Sequence, residues 1–220
     1  MNNQASNCIE LNNTALESLQ KGDYKSDIKN FSHALQNSKS TLDLDVDSSI
    51  VRQPAHFSLE ECMSLGSKIA RHNAAKTTSC YIYCRPIIIP TCPSDRTTNL
   101  AHVSTVIIFN LALTYQLAAS KHPESSQQLL QKAARLYELA HNLYRDQQIE
   151  SVTFLMATIN NLGSIFHELH DTNTAQDCFR RLFQTIMFLV DCGETKSLHM
   201  DGFLRNTAFL YCQQNSAPAA

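Results

Sequence analysis

The feature that most restricts this chain is a packing unit that recurs along it. In its fullest form, Ala157 to Leu182, two apolar stripes at helical spacing flank a polar break, the pattern of a helix hairpin. Asn161, Leu162, Gly163 and Phe166 make the first half, and Ala175, Phe179 and Leu182 the second. Gly163 and Ala175 are small enough to let two backbones approach, while Phe166 and Phe179 fill the space beside them.

A second copy lies near the N-terminus, where Asn13, Thr14 and Ala15 repeat the first half and Asp27, Phe31 and Ala34 the second. The register is shared: fourteen residues separate Asn13 from Asp27, and fourteen separate Asn161 from Ala175. A third copy uses Asn110, Leu111, Ala112 and Tyr115 with Ala133, Tyr137 and Ala140, lengthened around 120–128. Asn206, Thr207, Ala208 and Tyr211 form a last half-copy.

Taken in order, the pattern predicts an all-α chain and a single domain. The first hairpin covers 7–38, an insertion 39–99, the second hairpin 100–147, the third 150–192, and a capping helix 194–213. Gly22 and Asp23 stop the first helix and cap the second; Pro123 suits a first helical turn, and Cys192-Gly193 ends the third hairpin. Asp27 is a flaw, a carboxylate where the third hairpin has Ala175. In the insertion, 58–71 has a capping-box start, and Ser79 to Pro90 is the one strand candidate, with Pro86 limiting it to an edge or a ribbon.

Lys plus Arg number 18 against 20 Asp plus Glu, so no strong field favours nucleic acid or an anionic membrane. The start lacks the basic and apolar regions of a secretory signal, and the longest apolar runs are too short to span a bilayer. With eight scattered Cys read as reduced thiols, the expected location is cytosolic or nuclear.

Asn-Leu-Gly followed by an aromatic, Gly22-Asp23-Tyr24 at a turn, and Ala175 four residues before Phe179 resemble the tetratricopeptide repeat. About two thirds of the chain is covered. Spacings of 51 residues from Asn110 to Asn161 and 45 from Asn161 to Asn206 exceed the family's usual period. The resemblance implies a right-handed α-α superhelix with a concave groove for a protein or peptide partner, and no enzymatic activity or cofactor. Asn13, Asn110, Asn161 and Asn206 occupy its peptide-binding position, with Gln116, Ser164, His167, Arg205 and Phe209 beside them. An amide offers donor and acceptor together, which suits an extended backbone; the alternative is that these Asn bond neighbouring helix ends. Leu16, Leu113, Ser164 and Phe209 stand where a carboxylate clamp would need cations, so a mixed polar and aromatic segment is the expected ligand.

Metal chemistry finds little support. In an extended strand Cys80 and Cys84 lie about 13 Å apart, too far for one zinc ion. His167-Glu168-Leu169-His170 is one residue short of the metalloprotease spacing and reads as a helix end. Asp43-Leu44-Asp45-Val46-Asp47 opens like a calcium loop but has Ser48 for the turn Gly and Pro54 for the bidentate Glu. The rivals to an adaptor are a self-assembling subunit, in which Tyr81 to Ile89 pairs with another copy or fills the chain's own groove, and an enzyme of unrecognised type.

Overall fold

The computed structural model describes residues 2–39, 80–89, 100–146, 151–193 and 200–212. The helix expected over 58–71 and the acidic loop at Asp43 lie outside them. Among the described residues all regular structure is helical. The helices are α1 (Asn2–Lys21), α2 (Tyr24–Lys39), α3 (Leu100–Ala119), α4 (Ser126–Asp146), α5 (Val152–Glu168), α6 (Thr172–Asp191), α7 (Asp201–Thr207) and α8 (Phe209–Cys212). A 3₁₀ turn at Pro123–Ser125 leads into α4. The chain divides into two compact units. The first holds α1 to α4 with Cys84–Ile89; the second holds Cys80–Tyr83 with α5 to α8.

In the first unit α1 pairs with α2, α3 with α4, and α2 packs against α3. Ile9, Ala15, Leu16, Leu19, Tyr24, Ile28, Phe31 and Leu35 are all buried, as their helical spacing predicts. α3 is apolar on every side, and residues 103–119 are buried throughout. By length and apolarity it is the only described helix that could cross a bilayer, but here protein encloses it. Its Ser and Thr hydroxyls are bonded within the helix: Ser104 Oγ donates to Leu100 O at 2.8 Å, and Thr114 Oγ1 to Asn110 O at 2.9 Å. Tyr137 OH donates across to Gln116 Oε1 at 3.1 Å.

In the second unit α5 pairs with α6, while α7 and α8 pack on α6. Met156, Ala175, Phe179, Leu182, Ile186, Leu189 and Phe203 form its core. Val190, expected on the buried stripe, is half exposed, and Leu189 takes the inward place. The expected capping helix 194–213 is also corrected: α7 and α8 are two short helices interrupted at Ala208, and 194–199 lie outside the described residues.

The α1–α2 and α5–α6 hairpins turn in the same way. Gly22 at φ +79° and His170 at φ +64° each end a helix in the left-handed region. The next amide reaches back five residues, Asp23 N to Ser18 O at 3.3 Å and Asp171 N to Phe166 O at 2.9 Å. The Asp then caps the following helix, Asp23 Oδ1 accepting from Ser26 N and Asp171 Oδ1 from Thr174 N. His170 is therefore the helix end that its spacing implied.

Asp27 is fully buried on α2, and neither carboxyl oxygen has a hydrogen-bond partner among the described residues. Burial, aided by the nearby Asp23, pushes its carboxyl up to about 8. Because the folded state holds this proton more tightly than the unfolded chain, the associated stability is fully present below about pH 4. It is lost as pH rises towards 8, by at most ~1.4 kcal/mol per pH unit. Asp27→Ala is expected to raise the melting temperature at pH 8 and change it little at pH 4.5. Thermal unfolding monitored by circular dichroism across that range checks this; equal shifts at both pH values would refute it.

Candidate functional site

Residues Cys80–Ile89 run extended and belong to no strand, so the expected strand is corrected. An extended backbone needs partners for its amides and carbonyls, and here asparagine side chains supply them. In the second unit Tyr81 N donates to Asn206 Oδ1 at 2.7 Å, and Asn206 Nδ2 returns a bond to Tyr81 O at 2.7 Å. Two residues on, Tyr83 N donates to Asn161 Oδ1 at 2.8 Å, and Asn161 Nδ2 to Tyr83 O at 3.0 Å. In the first unit Ile87 N donates to Asn110 Oδ1 at 2.9 Å, and Asn110 Nδ2 to Ile87 O at 2.9 Å. Each carboxamide thus reads both polar groups of one residue and nothing of its side chain.

Further asparagines hold these carboxamides in place. Asn160 Nδ2 donates to Asn161 Oδ1 and to Tyr81 O, both at 3.0 Å, while its Oδ1 accepts from Asn206 Nδ2 at 2.8 Å. Asn12 Oδ1 accepts from Asn110 Nδ2 at 3.0 Å, and Asn12 Nδ2 donates to Asn13 Oδ1 at 3.2 Å. Asn12, Asn110, Asn160, Asn161 and Asn206 are all fully buried. These Asn–Asn bonds fix which end of each clamp amide donates and which accepts.

Of the expected site residues, Asn110, Asn161 and Asn206 therefore hold the extended segment. Asn13 orients Asn12 and is not bonded to the segment among the described residues. Gln116 faces Tyr137 inside its hairpin. Ser164 is buried on α5; the His167 ring lies 4.9 Å from that of Phe209, which stacks on Phe179 at 6.1 Å. Arg205 is exposed on α7. Gly202 escaped sequence reasoning: a Cβ there would collide with the Tyr81 ring. Its only sequence signal is a glycine immediately before the aromatic Phe203.

The surroundings of Cys80 disfavour the thiolate, the form a nucleophile needs. Burial, reinforced by Glu168 and opposed by Arg205, pushes its thiol up to about 12. Among the described residues no His, Cys, Asp and Glu cluster could hold a metal ion.

No family model, curated protein or solved structure matches this chain.

Proposed function

We propose that this chain is a non-enzymatic scaffold built on tetratricopeptide-like hairpins in a right-handed superhelix, which holds an extended peptide or partner segment by its main chain. The observation that carries the reading is the two-point bonding of Tyr81, Tyr83 and Ile87 by Asn206, Asn161 and Asn110. Clamps of this kind accept any residue sequence that stays extended, as an adaptor requires. The common turn geometry of the first and third hairpins supports the repeat reading. Among the described residues Cys8, Cys80, Cys84 and Cys192 form no disulfide, which fits a reducing compartment such as cytosol or nucleus.

The test compares proteins recovered by the tagged chain with those recovered by Asn110→Ala/Asn161→Ala, quantified by mass spectrometry. The double variant is expected to lose the partners recovered by the wild type and keep its helical signal. Unchanged recovery would remove the asparagines from the binding site.

A further inference from the structure

The asparagines fix only main chain, so selectivity in the second unit must come from what surrounds Tyr81 and Tyr83. Alternate residues of an extended chain point to the same side, and these rings share one aromatic neighbour. Phe203 meets Tyr81 edge-on at 5.7 Å and stacks on Tyr83 at 5.7 Å with 14° between the planes. Phe203 itself is 2% exposed, held in the core by Phe179 and its neighbours. Gly202 completes the seat, because any side chain there would occupy the volume of the Tyr81 ring. Two ring positions on one rigid aromatic, with a notch for the first, form a side-chain reader added to a main-chain clamp.

We infer that the second unit selects extended peptides with aromatic residues at alternate positions, and that Tyr81-Ile82-Tyr83 is an internal copy of that ligand which an incoming peptide displaces. The inference rests on the adaptor reading and adds the ligand class and its competitor. A tethered copy acts at an effective concentration in the millimolar range, so it masks the site from weak ligands and yields to strong or abundant ones.

The test uses the full chain, wild type and Tyr81→Ala/Tyr83→Ala, with a fluorescein-labelled peptide copying residues 79–85 and carrying Cys80→Ser and Cys84→Ser. Anisotropy is expected to show at least ~10-fold tighter binding by the variant, whose internal competitor keeps its main-chain bonds but has lost both rings. A probe with Ala at both Tyr positions should bind the variant at least ~10-fold more weakly than the Tyr probe, and Gly202→Ala in the variant should weaken the Tyr probe by a similar factor. Equal affinity for the Tyr and Ala probes would overturn the aromatic selection while leaving the adaptor reading standing. Binding of neither probe by a variant with intact helical signal would overturn both. If light scattering finds a wild-type dimer that the double variant loses, the segment serves a second copy and the internal competitor is refuted. Should the double variant lose its helices, Tyr83→Ala carries the same comparisons, because its ring stacks on Phe203 without entering the notch.

Discussion

Gly163→Val is expected to lower the melting temperature of the second unit by roughly 10–15 °C. A Cβ at Gly163 would stand 2.7 Å from Phe179 Cε1 and 2.9 Å from Cys178 Cβ. Neither neighbour can yield, since Phe179 is 1% exposed and Cys178 9%, and both sit in the core with Leu182 and Met156. Overpacking of this kind costs about 3 kcal/mol, more than the ~1 kcal/mol that replacing a helical glycine by a better helix former contributes. Gly193→Ala is the control: nothing lies within 4 Å of its Cβ, and only the φ of +73° opposes the substitution, so the expected loss is about 1 kcal/mol. Amide exchange of α5 and α6 reports the unit directly. A Gly163→Val chain as stable as the wild type would show that α5 and α6 are not in close backbone contact.

Asn161→Ala should release Tyr83 while leaving the helices folded. The substitution removes the acceptor of Tyr83 N, the donor to Tyr83 O and the acceptor of Asn160 Nδ2. At about 1 kcal/mol net for each bond, the Tyr83 amide is expected to exchange with solvent roughly 100-fold faster. Water can solvate the freed segment, so the loss falls on its docking rather than on the core. The helical circular dichroism signal should therefore stay close to that of the wild type. Hydrogen exchange read by mass spectrometry on a peptide spanning Tyr83 decides the matter. Unchanged protection there would mean that the carboxamide does not hold the segment.

Much of the architecture was legible because helices are written in local periods. Ile9, Leu16, Leu19, Ile28 and Phe31 are buried where a 3.6-residue period puts them, and Gly22-Asp23 marks its turn by residue types that suit a left-handed position and a cap. The asparagines stand out because Asn13, Asn110, Asn161 and Asn206 each lead a copy of the recurring unit. Adjacent amides in a helix differ by about 100°, so only packing decides that Asn12 faces Asn110 while Asn13 bonds Asn12. Ser79 to Pro90 has the β-branched and aromatic residues that signal extended backbone, and Cys80–Ile89 is extended. Composition could not say that its partners would be side chains rather than another strand.

The sequence by itself determined the helices, their turns and the small and aromatic residues at which they meet, because each depends on neighbours a few positions away. Only the tertiary structure decided what the asparagines bind. Tyr81 and Asn206 are 125 residues apart, as Tyr83 and Asn161 are 78 apart, and no local pattern links such pairs. The hydrogen-bonding capacity of an amide is fixed by its chemistry, but its partner is whichever backbone the folded chain brings within 3 Å.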